Sequence, residues 1–430
     1  MTAVNRGVAT ERLGPWLKGF PSAHPPIACD AIARQGWNVL AGDLPLPLAL
    51  IKRDALAHNI AWMQAFAHER GVQMAPHGKT TMSPQLFQRQ LDAGAWGITF
   101  ANVFQLRVGV ERAGVRRALI ANQVHQHVDL DALAALRDEH HDLRVVFLVD
   151  SPAQLALIEA WRATRPTVPA LEVLLEIGIA GGRTGVRGHD DALALGRALR
   201  ASRAVRLVGV ECYEGLGATG DSAVDEPYVD ALMQRVAGIA RALEAEHLFE
   251  SDEVIVSAGG SAVFDLVATR LSLKLDRPVR ALLRSGCYVT HDQGHYTRFV
   301  AAVNRRCGCE QGLTPALELW TSVQSVPEPG LALLTAGRRD VGFDAGLPVP
   351  VAFVPAGTRQ PVAADPAWRI TALNDQHAYL QFGGDAKVQP RVGDRVGLGI
   401  SHPCTTFDKW HWMPIVDDDY TVVDAITIHF

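Results

Sequence analysis

The chain has 430 residues, of which 48% are hydrophobic and 20% charged, and it carries a formal net charge of −5. This composition is typical of a folded globular protein and excludes a fibrous or largely disordered chain. The small negative charge provides no positive field for phosphate backbones, so we expect no nucleic-acid partner.

Membrane and secreted proteins are also disfavoured by the sequence. No apolar run approaches the roughly 18 residues that a membrane span requires, so we expect no membrane partner. The first 20 residues lack the apolar core of a secretory signal. The six cysteines are irregularly spaced and do not suggest a disulfide framework, which favours a cytoplasmic location.

The length exceeds one usual hydrophobic core, so we expect one large domain and one smaller domain. Residues 1–40 are punctuated by glycine and proline and form an N-terminal extension. A strand at Leu48–Ile51 leads into a helix that begins near Asp54, where apolar residues recur at helical spacing. Two later helices are predicted to begin at the Ser-Pro pairs Ser83–Pro84 and Ser151–Pro152.

Short apolar strands alternate with helical stretches up to about residue 290. The predicted strands are 72–75, 97–100, 118–121, 145–149, 171–175, 207–210, 253–256 and 281–283. Such alternation is typical of a parallel sheet covered on both faces. Eight units over roughly 220 residues predict an α/β fold, a (β/α)8 TIM barrel over 53–290, with an open doubly wound sheet as the alternative.

Beyond residue 290 the helical periodicity fades. Short strands separated by glycine and proline turns predict a second, mostly-β domain over 291–430. Its predicted strands are 317–323, 378–382, 395–400 and 420–428.

In a barrel, the functional side chains lie on the loops that follow the strands. The first strand is followed by Pro76-His77-Gly78-Lys79-Thr80. If Lys79 is partly removed from water at this place, its amine is a usable nucleophile. The alternative is that Lys79 is an ordinary surface lysine.

The later strand ends carry further candidates. The loop 176–185 surrounds the lone Arg183 with glycines, which suits close approach of a guanidinium to a ligand. Tyr213 follows the sixth strand and either faces the cavity or packs at its rim. The backbone amides of Gly259, Gly260 and Ser261, after the seventh strand, suit a phosphate. The segment 284–288, which includes Tyr288, could complete the same phosphate site.

The second domain contains His402 and Cys404, two positions apart. On an extended segment their side chains would lie on the same side, and both are zinc ligands. Two ligands are too few for a closed structural site but leave positions open for substrate, as in a catalytic zinc site. The alternative is an unrelated pair. His377 and the run 417–419 are either neighbours of such an ion or ordinary structural and surface residues.

Together these residues resemble the D-serine dehydratase / D-threonine aldolase branch of the alanine-racemase-like, fold type III pyridoxal-phosphate enzymes. The resemblance covers about residues 45 to 430 and implies a barrel followed by a β domain that also takes in the strand 45–52. It implies that Lys79 holds pyridoxal 5′-phosphate as a Schiff base. The other residues expected to contact the cofactor are His77, Arg183, Tyr213, Gly259, Gly260, Ser261 and Tyr288.

The resemblance also implies that His402 and Cys404 bind Zn²⁺ beside the substrate hydroxyl. Aldolases of this branch typically have Asp at the second position, so Cys404 favours a dehydratase. The expected reaction is β-elimination from a D-hydroxy amino acid, D-serine or a similar one, to a 2-oxo acid and ammonia. A homodimer is the family expectation.

Three alternatives to this reaction stay open. A metal-dependent D-threonine-type aldolase would use the same site to cleave Cα–Cβ. A racemase would need a second base, for which the sequence offers no clear candidate. A cofactor-binding homeostasis protein of the same barrel class typically lacks the second domain.

Overall fold

The structure, a computed structural model, describes residues 11–309, 311–383 and 386–430. The first elements are β1 (Arg12–Leu13), β2 (Ile27–Ala28) and the 3-10 helices Cys29–Gln35 and Val39–Ala41. This segment packs on the second domain, because Trp412 Nε1 donates to the carbonyl of Lys18 at 2.8 Å. Residues 1–10 of the predicted extension lie outside the described residues.

Eight parallel strands form the large domain, after β3 (Leu48–Lys52) and α1 (Arg53–Glu69). They are β4 (Gln73–Met74), β5 (Ile98–Phe100), β6 (Arg117–Gln123), β7 (Arg144–Val149), β8 (Leu171–Ile177), β9 (Val205–Cys212), β10 (Val254–Ala258) and β11 (Val279–Leu283). The amide of Trp96 donates to Met74 O at 2.7 Å and that of Thr99 to Pro76 O at 2.8 Å, which closes the sheet. The predicted barrel is confirmed, and the open sheet is wrong.

Seven further helices connect the strands. They are α2 (Pro84–Asp92), α3 (Val103–Ala113), α4 (His127–Glu139), α5 (Pro152–Ala163), α6 (His189–Ala201), α7 (Ser222–Ala245) and α8 (Phe264–Leu271). Both predicted Ser-Pro starts are confirmed, since Ser83 and Ser151 each accept a hydrogen bond from the amide three residues on. Capping in this way satisfies amides that the first turn leaves without partners.

The barrel strands are mostly apolar because both faces of the sheet are covered. One set of side chains fills the interior, including Leu119, Val146, Leu174 and Ile255. The alternate set packs beneath the surrounding helices as part of the main core. This two-sided burial explains why the strands read as continuous apolar runs rather than as alternating ones.

The second domain begins with the helix α9 (Thr297–Cys307), which the fading periodicity did not predict. Its strands are β12 (Leu317–Glu328), β13 (Leu331–Leu334), β14 (Val349–Val354), β15 (Val362–Ala363), β16 (Arg369–Leu373), β17 (Ala378–Gln381), β18 (Arg395–Gly399), β19 (Trp412–Val416) and β20 (Val422–Thr427). A short helix, α10 (Pro403–Phe407), follows β18.

The strands of the second domain pair mostly antiparallel in one sheet. The strand β3 belongs to this sheet, since it pairs antiparallel with β12 and parallel with β19. The chain therefore leaves one sheet at Lys52 and enters the barrel through α1. None of the described helices combines the length and apolar character that crossing a bilayer requires.

Candidate active site

A cavity of about 370 Å³ lies where the carboxyl ends of the barrel strands face the second domain. It is the expected place for a site in this fold. All of the sequence-predicted site residues except Tyr288 line it: His77, Lys79, Arg183, Tyr213, Gly259, Gly260, Ser261, His402 and Cys404. His377 and the run 417–419 are not among its lining residues.

Tyr288 lies behind the cavity wall. It belongs to the 3-10 turn Cys287–Val289, and its hydroxyl accepts a hydrogen bond from Gln90 Nε2 at 3.0 Å. Successive side chains on such a turn point about 120° apart, so its neighbour Cys287 faces the cavity instead. The expectation that Tyr288 contacts the cofactor therefore has no support in the geometry. Cys287 lines the cavity, and the sequence indicated it only as part of the segment 284–288.

Lys79 extends into the cavity from the single 3-10 turn Gly78–Thr80 that follows β4. Among the described residues, its amine has no hydrogen bond and no ion pair. Its neighbour His77 is largely buried, which lowers the pKa of the imidazole well below its ordinary value, and the charge of Lys79 adds to this. The buried Nδ1 of His77 also has no partner. A buried polar atom without a partner at a cavity wall is the kind of group that a ligand satisfies.

Arg183 stands at the rim on a loop that Glu176 holds in place. Thr184 Oγ1 donates to Glu176 at 2.6 Å, and Gln123 Nε2 donates to the same carboxylate. The guanidinium carbon of Arg183 lies 5.4 Å from the ring centroid of Tyr213, within the range of a cation–π contact. No carboxylate pairs with Arg183 in the described part of the chain, so its charge is available to an anionic ligand.

Tyr213 carries a hydroxyl that stays protonated near neutral pH. Burial raises the pKa of this phenol to about 12, and the neighbouring carboxylate of Glu214 adds to the shift. Tyr213 can therefore act as a hydrogen-bond donor at the cavity wall. Its place on the cavity side settles the choice that the sequence left open between cavity and rim.

The glycine turn after β10 is occupied by an internal carboxylate. The amides of Gly259 and Gly260 donate to the two oxygens of the buried Glu214, at 3.0 and 2.6 Å. These two amides are therefore not open to a phosphate in this structure. By contrast, the amides of Ser261 and Ala262 have no acceptor among the described residues. Only Val263 separates them from α8, whose N-terminus has no side-chain cap. Of the three amides that the sequence indicated, that of Ser261 is therefore the open one.

A buried contact between Arg284 and Glu211 forms part of the cavity floor. Arg284 contacts Glu211 and donates to Ser257 Oγ at 2.7 Å, so its guanidinium is not free to complete a phosphate site. In the described part of the chain, the second oxygen of Glu211 has no hydrogen-bond partner. Burial raises the pKa of Glu211 to about 8, against the lowering effect of Arg284. The sequence signal for this pair was weak, because each residue simply follows or ends an apolar strand.

His402 and Cys404 reach the cavity from the second domain, although not from an extended segment. His402 caps α10 and Cys404 lies in its first turn, so the predicted local conformation is wrong. His402 Nδ1 lies 2.7 Å from Asp344 Oδ2, while Thr405 Oγ1 donates to the other oxygen of that carboxylate at 2.7 Å. A carboxylate behind a histidine orients the ring and leaves Nε2 for a metal ion.

Cys404 also meets a cysteine from the barrel. Its Sγ lies 3.5 Å from Cys287 Sγ and 3.5 Å from Thr80 Oγ1. The hydrogen bond between the two sulfurs lowers the pKa of Cys287 to about 6 and raises that of Cys404, because a thiolate at one position accepts from the thiol at the other. The described residues contain no set of three His, Cys, Asp or Glu side chains already gathered tightly enough to hold an ion.

Two family models match the chain. The model described as "Alanine racemase, N-terminal domain" matches residues 51–280, and the one described as "Putative serine dehydratase domain" matches residues 316–416. The chain is 30% identical over 376 residues to D-threo-3-hydroxyaspartate dehydratase of Delftia sp. (strain HT23), covering 84% of this chain and 92% of the relative. It is 26% identical over 360 residues to D-threonine aldolase of Arthrobacter sp, covering 84% and 86%.

Solved structures agree with this assignment. D-threonine aldolase from Filomicrobium marinum superposes with a TM-score of 0.75 at 24% identity, covering 91% of this chain and 97% of that one. That likeness shows the shared fold of a barrel and a β domain. The chain therefore belongs to the fold type III, alanine-racemase-like family of pyridoxal-phosphate enzymes, with a serine dehydratase-type second domain.

Proposed function

We propose that the chain is a pyridoxal-phosphate- and zinc-dependent dehydratase that converts a D-hydroxy amino acid, D-serine or a similar one, to a 2-oxo acid and ammonia. One observation carries the proposal. A lysine from the barrel, Lys79, and a histidine and cysteine from the second domain, His402 and Cys404, line the same cavity of about 370 Å³. This shared cavity supports a base at Lys79 and a metal-binding pair that one substrate could meet together.

The cavity suits the cofactor in three respects. Among the described residues, the amine of Lys79 and the buried Nδ1 of His77 have no partner, and the amides of Ser261, at the cavity wall, and of the adjacent Ala262 have no acceptor. We infer that Lys79 carries the cofactor aldehyde carbon and that the open amides receive the phosphate. When bound, pyridoxal phosphate supplies an electron sink for the pair left when a bond at Cα breaks.

Lys79 is the proposed base of the reaction. With pyridoxal phosphate bound, the amine of Lys79 would lie where it could take the proton from Cα of the substrate. The free guanidinium of Arg183 at the rim is suited to hold a negative group of the substrate or cofactor. Tyr213, protonated at neutral pH, supplies a donor on the same wall.

His402 and Cys404 are the proposed holders of the metal ion. Zn²⁺, when bound, supplies a Lewis acid for the β-hydroxyl, which is otherwise a poor leaving group. Asp344 keeps the ring of His402 oriented through Nδ1. A relative supports a metal at this place: one solved structure of D-threo-3-hydroxyaspartate dehydratase carries a cysteine-to-alanine substitution and is in the metal-free form.

The aldolase is the second candidate function. The relatives include 3-hydroxy-D-aspartate aldolase of Paracoccus denitrificans (strain Pd 1222), at 28% identity over 310 residues, beside the dehydratase. Both reactions can use the same lysine and the same metal pair. Cys404 favours elimination, because in the aldolases of this branch Asp is typical at that position.

A substrate panel tests the proposal. The enzyme reconstituted with pyridoxal phosphate and Zn²⁺ is incubated with D- and L-serine, D- and L-threonine and D-threo-3-hydroxyaspartate, and ammonia, 2-oxo acid and aldehyde are assayed in each. We expect equal amounts of ammonia and 2-oxo acid from a D-substrate and none without the metal. Aldehyde and glycine as the products would establish the aldolase, and full activity after exhaustive chelation would remove the metal from the reaction.

A further inference from the structure

Cys287 is a cavity residue that the proposed chemistry does not yet use. It lies on the barrel side, directly after β11, whereas Cys404 lies in α10 of the second domain. The two sulfurs nevertheless approach to 3.5 Å across 117 positions of sequence. We propose that Cys287 is the third protein ligand of the metal site, together with His402 and Cys404.

The spacing of the sulfurs fits a shared ion. Two thiolates bound to one tetrahedral zinc at about 2.3 Å each lie about 3.8 Å apart. The observed 3.5 Å is close to that distance and far from the roughly 2.05 Å of a disulfide bond. Both cysteines are free thiols in the structure. The two sulfurs need to separate only slightly for an ion to bind between them.

The position of Cys287 is set by rigid neighbours. Its amide donates to Ser261 Oγ at 3.2 Å. The preceding Gly286 is packed so tightly that a Cβ there would lie 2.7 Å from the carbonyl of His77 and 2.6 Å from Thr80 Oγ1. The turn that carries Cys287 therefore rests directly against the Lys79 segment, and its sulfur cannot move far from the cavity.

The ligand count gives a chemical reason for a third residue. A catalytic zinc is usually held by three protein ligands with one position left for water or substrate, and two cysteines with one histidine form one of the known sets. His402 and Cys404 alone leave this set one ligand short. Cys287 completes it, and His402 supplies Nε2 because Nδ1 is engaged by Asp344.

The imidazole has to close on the sulfurs when the ion binds. In the described residues the three side chains are not yet gathered at ligand distance, although all three line the one cavity. The two sulfurs are therefore already close together, and the imidazole of His402 is the ligand that has to move toward them when the ion binds. This assignment refines the metal site of the proposed function and rests on it.

X-ray absorption at the zinc edge tests the assignment, because it counts sulfur ligands without any turnover. Holoenzyme loaded with pyridoxal phosphate and one equivalent of Zn²⁺ under a thiol reductant is compared with Cys287→Ser, Cys287→Ala and the control Cys309→Ser. We expect two sulfur ligands in the parent and the control, and one in both Cys287 variants. Zinc affinity, measured by competition with a chromophoric chelator, should fall by more than about tenfold in those variants. A loss of about that size already follows when a residue that only hydrogen-bonds to a metal ligand is removed.

The outcomes separate this assignment from the proposed function. One sulfur ligand in the parent, unchanged in Cys287→Ala, overturns the role of Cys287 and leaves the metal pair standing. No bound zinc in the parent removes the metal from the proposed function as well. Circular dichroism and the cofactor absorbance of each variant establish that it is folded and loaded, and a thiol count on the denatured parent excludes a disulfide between Cys287 and Cys404.

Discussion

The carboxylate of Glu214 accepts a hydrogen bond from the amide of Gly260 at 2.6 Å and has no exposure to solvent. Its other oxygen accepts from Gly259, which has a φ of +104° that only glycine adopts readily. The carboxylate of Glu214 thus binds the first two amides of this turn, whereas the next two amides have no acceptor among the described residues. The turn is ordered by the chain itself before any phosphate arrives.

Glu214→Gln should therefore destabilise the protein. An amide side chain offers only one acceptor oxygen and turns an N–H toward the other glycine amide. We expect a loss of about 1–3 kcal/mol in the free energy of unfolding, the cost of a buried donor left without a partner, and weaker binding of pyridoxal phosphate. Urea denaturation and cofactor titration measure both quantities. The exposed Glu226→Gln is the control, and equal stability of the two variants would contradict the expectation.

Lys79→Ala should abolish the reaction without unfolding the barrel. Its amine has no partner among the residues that the structure describes, whereas it is the proposed base and anchor of the cofactor. We expect turnover to fall by at least about 10²–10⁴, the usual contribution of a positioned base, and the Schiff-base absorbance to be lost. Lys274→Ala, exposed and outside the cavity, should change neither. A Lys79→Ala variant that retained the absorbance would require a different anchor.

Asp344→Ala should weaken metal binding, although Asp344 is not itself a proposed ligand of the ion. The carboxylate holds His402 through Nδ1 at 2.7 Å, so its loss frees the ring to rotate. Outer-shell partners of this kind contribute about 10–100-fold to metal affinity, and we expect a weakening in that range by chelator competition. Asp375→Ala, which loses only a surface ion pair with Arg339, is the matched control. Unchanged affinity in Asp344→Ala would mean that His402 does not bind the ion through Nε2.

The titration of Asp292 should lower the free energy of unfolding as the pH rises. Burial raises the pKa of this carboxyl from 3.8 to about 7, although the amides of Gly294 and Tyr296 donate to Oδ1. Between these values the folded state keeps a proton that the unfolded chain has released. The stabilisation is therefore complete below about pH 4 and is lost as the pH rises through about 7.

Asp292→Asn removes this titration while keeping the acceptor oxygen for the two amides. We expect the difference in unfolding free energy between parent and variant to shift in favour of the variant from pH 5 to pH 8, as measured by urea denaturation at both. The exposed Asp276→Asn controls for general charge effects. A difference that does not change with pH would place the titration of Asp292 near its ordinary value.

The barrel could be predicted because one local sequence pattern, an apolar strand followed by a helix, repeats along the chain. Strands buried on both faces must be mostly apolar, and some helix starts carry their own cap, as at Ser83 and Ser151. The second domain was less predictable. Strands such as β15 and β16 are short and partly exposed, so they leave little pattern. The helix α9 stands alone without the alternation that identified the others.

The sequence by itself determined the fold class, and its resemblance to the D-serine dehydratase / D-threonine aldolase branch singled out Lys79 and the pair His402 and Cys404. Only the tertiary structure decided which long-range neighbours they have. The sulfur of Cys287 meets Cys404 across 117 positions, and Tyr288 turns away from the cavity. Such pairings depend on how two sheets stack and how one turn is oriented, and neither quantity is encoded in any local window of the chain.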